Sequence, residues 1–341
     1  MKQYANVILG TMAVLHSAAF ATTTEFSEDS GFSGAVGAGI AIFDVKSNFL
    51  GGNRFADLDN SNTDSLFSSP SQARATSPDI QIDVRYTFEG SKTEIMLGNA
   101  LADLVRLDFS QQLGIRHKRD DLGVFSAGYL FSSLPAEVWQ DPFKHGVERT
   151  RVERDARGVR FGWDSMFGQP VGVSYSYRNV EVEHDRSGET LVNEGILTVE
   201  QAAMLKRDGD IHKIDLISTI DLGAGKVLIP EASYARHDRI GAASSMDVYV
   251  GQLSYLKFTP NYTLALSAML SDIRYDAENP VFERKANTQG VGLAGSLLLR
   301  NVLNHSQWDV LIGLAWTKAE SDIAFYDTEI LAGNVSLLYR F

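Results

Sequence analysis

The chain of 341 residues contains no cysteine. That excludes a disulfide framework and a lipid-anchored N-terminal cysteine, and it fits an oxidising compartment in which an unpaired thiol is a liability. Long apolar runs are missing too: beyond the first residues nothing approaches the about 18 residues that a membrane-crossing helix needs. Positive charge is scarce, with 31 Lys and Arg against 43 Asp and Glu and a formal net charge of -12. Such a balance argues against nucleic acid as a partner. It says little about what crosses a pore, because it sums over loops and interior alike.

What is present begins with an export pattern. Lys2 supplies a positive n-region, Val7 to Leu15 an apolar h-region and Ala19-Phe20-Ala21 a small-x-small cleavage site, so residues 1–21 read as a signal peptide. At the other end Val335, Leu337, Tyr339 and Phe341 share one strand face, and Asn334, Ser336, Leu338 and Arg340 the other. A soluble domain usually ends in frayed polar residues, whereas the closing strand of an outer-membrane barrel is in lipid to its end. Tyr339 followed by a terminal Phe341 resembles the signal by which Gram-negative barrels are passed to their assembly machinery.

Between these ends run alternating segments of about ten residues separated by turn-rich stretches, as in a transmembrane barrel. Strands are expected at 33–48, 79–88, 92–99, 104–117, 123–133, 149–166, 171–185, 210–222, 226–237, 245–257, 262–274, 285–300, 307–317 and 327–341. The fold class is therefore all-β: an antiparallel up-and-down barrel of about 14 strands, with about 12 as the alternative. The expected domains are a periplasmic segment at 22–32 and the barrel at 33–341. Every second connection is short: Glu89 to Ser91, Lys118 to Leu122, Phe167 to Pro170, Gly223 to Gly225, Phe258 to Asn261 and Asn301 to Ser306. The others are mostly longer, notably Phe49 to Pro78, Leu134 to Glu148 and Arg186 to Gly209. Short periplasmic turns and longer external loops produce this alternation, which puts both termini in the periplasm. Ala100 to Asp103 breaks it, being short on the external side, and so keeps the lower count open. Tyr86, Phe88, Phe125, Phe161, Trp163, Tyr255, Tyr262, Trp308, Tyr339 and Phe341 cluster beside the short turns as an interfacial girdle. A soluble β-sandwich alternates as well, but needs neither girdle nor export signal.

Assigning the apolar alternate positions to lipid leaves the charges inside. Asp83, Glu94, Asp108, Asp164, Asp215, Asp221, Glu231 and Asp309 are the expected interior acids. Arg85, Arg106, Arg116, Arg154, Arg160, Arg178, Lys213 and Arg340 are the expected bases. A lattice of mixed sign can satisfy itself through charge-assisted hydrogen bonds, either filling the lumen or lining a wet pore. Too few residues precede the first strand for an N-terminal plug, so any gate is expected from a loop. Loop 49–78, rich in Ser, Asn and Asp, is expected to stay unordered. Loop 134–148 offers Trp139 and Phe143 for a constriction. Thr198-Val199-Glu200-Gln201 reads as a capping box that opens a short helix, either a solvated loop helix or a lid over the mouth.

Catalytic signals are weak. His184-Asp185 and His237-Asp238 stand near external strand ends, but adjacent residues on a strand point to opposite faces, so neither pair is a dyad. Ser187 and Ser244 are nearby hydroxyls, yet no Gly-x-Ser-x-Gly elbow and no zinc-type histidine spacing occurs. Asp57, Asp59, Asn60, Asn62 and Asp64 crowd one loop without the spacing of a calcium hand. No cofactor, metal or catalytic residue is expected. Gly31-Phe32-Ser33-Gly34, the polar first loop, Thr198-Val199-Glu200-Gln201-Ala202-Ala203 before Asp208-Gly209-Asp210, and the aromatic terminus together resemble an uncharacterised family of Gram-negative outer-membrane proteins. That resemblance implies an outer-membrane location and transfers no functional residues. The function expected is a narrow, passive porin-like channel for small hydrophilic solutes. The alternatives are a closed barrel whose loops bind lipopolysaccharide or another surface partner, and a rim hydrolase acting through His237. Outer-membrane lipid and the assembly machinery are the other partners expected.

Overall fold

The computed structural model describes residues 30–53, 55–63, 65–98, 111–131, 136–302 and 305–341. Fourteen antiparallel strands close into one barrel. In chain order they are β1 (Gly31–Lys46), β2 (Gln72–Thr87), β3 (Thr93–Gly98), β4 (Gln111–Arg119), β5 (Gly123–Phe131), β6 (Arg151–Asp164) and β7 (Val171–Val182). They continue as β8 (Gly209–Ser218, extended by Ile220–Gly223), β9 (Lys226–Arg239), β10 (Met246–Phe258), β11 (Tyr262–Tyr275), β12 (Thr288–Leu299), β13 (Trp308–Ser321) and β14 (Thr328–Arg340). Each pairs with its chain neighbour, and β1 returns to β14 with Ala35 opposite Arg340 and Lys46 opposite Glu329. One further rung lies beyond these, where Gly34 and Phe341 exchange both backbone hydrogen bonds at 3.1 Å. The sheet therefore has no open edge to attract another chain. Close to that rung the backbone of Gly34 has φ +144, and a Cβ there would stand 2.0 Å from the Asp83 carbonyl oxygen, so only glycine fits.

Period-two alternation holds along every strand. On β2 the odd residues from Ala73 to Thr87 turn inward, and on β14 the even residues from Thr328 to Arg340 do. The outer face bares Ile40, Ile80, Leu113, Ile115, Ile214, Leu216, Leu266, Leu270, Leu293, Leu314 and Val335. A continuous aliphatic belt of this size would be strongly unfavourable in water and marks a membrane surface. Toward the short turns it gives way to rings in mutual contact: Phe32 on Tyr86 at 5.0 Å, Phe125 stacked on Trp163 at 5.4 Å and Trp308 on Tyr339 at 5.2 Å. Indole Nε1 of Trp163 donates to the Leu122 carbonyl at 2.7 Å, giving the ring an apolar body and an anchored polar tip.

The lower strand count is overturned, and several boundaries move by a few residues, β2 by the most among the strand starts described in full. β1 begins at Gly31 rather than 33, and β2 begins at Gln72 rather than 79. In the added part of β2 the outward residues Gln72 and Arg74 both bond Asp44 of β1. That stretch has a polar outer face, so it lacks the apolar stripe by which alternation is recognised. The expected signal peptide at 1–21, residues 22–29, the connection Ala100 to Asp103, and Arg106 and Asp108 lie outside the described residues.

Candidate functional site

The long loops converge on the barrel mouth and pack into it. Phe49, Leu50, Leu58 and Leu66 of loop 47–71, Phe143 of loop 132–150, Leu191, Leu197 and Leu205 of loop 183–208, and Phe325 and Tyr326 of loop 322–327 are buried in one apolar cluster. The same cluster includes inward side chains of the barrel wall, among them Val45, Val180, Ile273, Ala319 and Ile330. The loops thus continue the barrel interior as a cap. Its centre is a knot of rings: Phe49 on Tyr326 at 4.9 Å, Phe143 on Phe325 at 5.9 Å and Phe282 on Phe325 at 5.8 Å. Each buried ring contributes about 2–3 kcal/mol.

Two buried arginines tie the cap together. Arg149 gives Nη1 to the Asn48 carbonyl at 3.0 Å and Nη2 to that of Asn60 at 2.5 Å, while its guanidinium lies 4.6 Å from the Trp139 ring centroid. Burial lowers its pKa to about 10, with the Asp141 charge acting the other way. Arg207 bonds Asp185 from Nη2 at 2.7 Å and from Nε at 3.0 Å, and reaches the carbonyls of Trp139 and Gln140. Burial alone would raise the Asp185 carboxyl, but the Arg207 charge and hydrogen bonds hold it at about 2. Asp141 accepts from the backbone N–H groups of Gly188 and Thr190, both at 2.9 Å. The described residues of loop 47–71, expected to be unordered, are therefore packed into the cap: their apolar side chains and the carbonyls taken by Arg149 outweigh the polar composition. Loop 132–150 places Phe143 in that cluster, whereas Trp139 is buried against Arg149 and Arg151. The capping box at Thr198 is formed with Gln201, and in the helix Val199–Ala203 the side chain of Ala202 is buried.

Below the cap the wall of the barrel is divided. Strands β2 to β9 carry most of the interior charges. Arg85 grips Asp83 with two bonds at 2.9 and 3.1 Å, and Arg116 pairs with Glu94 at 2.7 Å. Asp215, with no exposed surface, is held by Lys213 at 2.8 Å, Arg160 at 3.7 Å and the hydroxyls of Ser174 and Ser233. Arg154, Arg160 and Glu231 are buried, and Arg178 and Asp164 half-buried, on the same inward face. Asp309 pairs with Arg340 at 2.6 Å at the short-turn rim, where Arg340 is partly exposed. Asp221 keeps the inward parity but differs from expectation in lying exposed beside the turn, with its carboxylate on the Gly223 N–H.

Several interior groups were missed. Asp79, at the first position of the expected strand, accepts from Asn334 at 2.6 Å and from the Ser336 hydroxyl. It reaches across β1 because Gly39 stands between them: a Cβ there would lie 2.2 Å from Ser336 Oγ. Arg239 falls two residues past an expected strand end, and continuing the alternation of Glu231, Ser233, Ala235 and His237 by one step would have placed it inside. Arg207 stands in a loop, where period two gives no signal, and Arg149, the first residue of the expected strand 149–166, lies two residues before β6 begins. His237 is buried in the interior rather than on a rim, and its Nδ1 accepts from Arg239 Nη2 at 3.1 Å. Neither Ser187, which donates to Asp185, nor Ser244, which donates to the Leu205 carbonyl, bonds it.

A closed antiparallel barrel with an aliphatic belt, an aromatic rim and a polar interior defines the class: this is an outer-membrane β-barrel protein. Residues 31–340 match the family described as "Protein of unknown function (DUF2860)", and the chain belongs to it. No curated protein matches. Among solved structures the chain is similar to the CymD monoaromatic hydrocarbon channel, at 9% identity and TM-score 0.46, over 92% of this chain and 89% of that one. It is similar to OmpTdeltaL8, an outer membrane protein of Vibrio cholerae, at 10% identity and TM-score 0.40, over 92% and 100% of the two chains. A third is the outer membrane channel DcaP of Acinetobacter baumannii, at 9% identity and TM-score 0.37, over 93% and 99%.

Proposed function

We propose that this protein is a narrow, passive channel for small hydrophilic solutes, held shut at rest by its loop cap, with its short turns and both termini in the periplasm. The observation that carries this reading is the pairing of an apolar plug at one end with a wall of buried, partnered charges beneath it. An interior needed only for structural filling could be apolar throughout, whereas fixed charges of both signs supply the polar path that a hydrated solute requires. The plug is made of loops, which move at lower cost than strands. Reconstitution in planar bilayers tests this: the wild type should open rarely, and deletion of residues 134–148 should give a steady current. Silence of both proteins at every voltage overturns the channel reading.

That outcome would favour the second reading, a closed barrel whose loops bind lipopolysaccharide or another surface partner. Phe67, Ile196, Val199 and Ile240, each more than half exposed near the capped end, are what supports it. A rim hydrolase has less in its favour, because the hydroxyls nearest in sequence serve the cap. In vivo the chain would also depend on export and on the barrel assembly machinery, which the Tyr339 and Phe341 pattern is expected to address.

A further inference from the structure

The charged wall is sorted along the barrel axis as well as around it. Register places Arg178 across from Gly158 on one side and Ile211 on the other, and Ile211 across from His237. One step nearer the cap, Arg239 faces Gly209, which faces Val180; the next step brings Arg154, opposite Val182. Arg154 of β6, Arg178 of β7 and His237 and Arg239 of β9 thus sit on the inward face within a few residues of one level, with Ile211 and Gly209 of β8 between them. The acids Asp215, Glu231 and Asp164 lie on the same strands further toward the short turns.

Arg239 is the centre of this group. It is 5% exposed and donates to the Gly209 carbonyl at 3.2 Å and to His237 Nδ1 at 3.1 Å, while its buried Nε bonds nothing among the described residues. Accepting that bond at Nδ1 leaves the proton of His237 on Nε2, as a further inward donor. Arg154 and Arg178 are the charged neighbours on β6 and β7. The acids that act on Arg239 are Asp208, Asp210 and Asp238, of which Asp210 and Asp238 have the outward parity of their strands. Asp210 is engaged there by Tyr177 and Asn179, and Asp208 by the Val182 N–H. Within the barrel the Arg239 guanidinium and the imidazole donor therefore stand beside Arg154 and Arg178, and among the described residues Asp208 is the cap-side acid that acts on Arg239. A buried guanidinium with an unused N–H and no carboxylate bonded to it is a strong site for an oxyanion.

We infer that Arg239 and His237, flanked by Arg154 and Arg178, bind the phosphate or carboxylate group of a small solute inside the barrel, directly beneath the loop cap. This deepens the channel reading by giving the solute a negative group, and it rests on that reading for the route by which the solute arrives. The test is separable from conduction. The full chain is refolded into detergent with inorganic phosphate, with acetate, or with chloride at matched ionic strength, so that access through the cap does not limit binding. Thermal unfolding is then followed by heat-modifiable gel mobility.

One of the two oxyanions should raise the midpoint by about 2 °C or more over chloride, and the larger rise names the group recognised. Arg239→Gln should abolish the rise. Should that variant fail to fold, His237→Gln serves in its place and should reduce the rise by at least half. Equal midpoints in all three salts, or an undiminished rise in the variants, overturns the site. A rise in protein that never conducts leaves the site standing and removes the channel, whereas conduction without a rise does the reverse.

Discussion

The two walls of the barrel interior follow different rules. From β2 to β9 the inward positions carry Asp83, Arg85, Glu94, Arg116, Arg154, Arg160, Arg178, Lys213, Asp215, Glu231 and Arg239. From β10 through β14 and on to β1 they carry mostly small or apolar residues: Gly290, Gly292, Ala294, Gly313, Ala315, Ala332, Gly37, Gly39 and Ala41. The first wall is held by long charged side chains that reach one another; the second is barer of charge, and its glycines let neighbours such as Leu338, Ser336 and Met269 close over the backbone. Two of the loops that tie the cap, 132–150 and 183–208, also spring from the charged wall, so gate and charge share one half of the barrel.

Four expected outcomes probe this division, the largest effect first. Asp215→Ala strands Lys213 and Arg160 in a buried setting and should cost about 4 kcal/mol in urea unfolding from detergent micelles. A cost no greater than that of a wall serine would dissolve the distinction between the walls. On the opposite side Gly39→Ala should cost about 3 kcal/mol, because its Cβ would meet the Val335 carbonyl at 2.1 Å and sever the reach of Asp79. Neutral behaviour there would mean that the bare wall is merely unoccupied rather than required to be bare.

The third concerns the cap. The pKa of Asp185 is depressed in the folded protein, so its stabilisation is complete above about pH 4 and is lost as pH falls toward its folded value of about 2. The loss amounts to about 2 kcal/mol and should appear as faster acid-protease cleavage in loop 183–208 at pH 2 than at pH 5, beyond the change in an Asp185→Asn control. Equal acceleration in that control would detach the effect from the carboxyl. The smallest is Ser254→Ala, which removes a 2.8 Å bond to Ser267 on the bare wall and should cost about 1 kcal/mol by the same urea assay. A penalty rivalling that of Asp215→Ala would show that the bare wall depends on polar contacts after all.

What was legible in the sequence follows the same division. Strand identity, facing and girdle could be read because one residue in two must meet lipid, a requirement that acts on each strand alone. The Asp83, Arg85, Glu94 and Arg116 group was readable for that reason. Pairing was not, since Asp215 meets Lys213 two residues away but Ser233 only through strand registration. The polar outer face of Gln72 to Pro78 concealed a strand, and the cap was hidden because it depends on contacts such as Arg149 to Asn48, 101 residues apart. Composition described loop 47–71 as solvated, and its Phe49, Leu58 and Leu66 were the discordant signal.

The rung between Gly34 and Phe341 has a kinetic side. Every other pairing among the fourteen barrel strands joins chain neighbours, whereas the seam must bring together residues roughly 300 positions apart, at an entropic cost of about 5 kcal/mol beyond a length-independent constant. Individual seam rungs repay little until several have formed, so the seam is expected to be the last pairing made and the first lost under load. The barrel is then an open, curled sheet for much of its folding, with β1 and β14 as exposed edges that need protection until they meet.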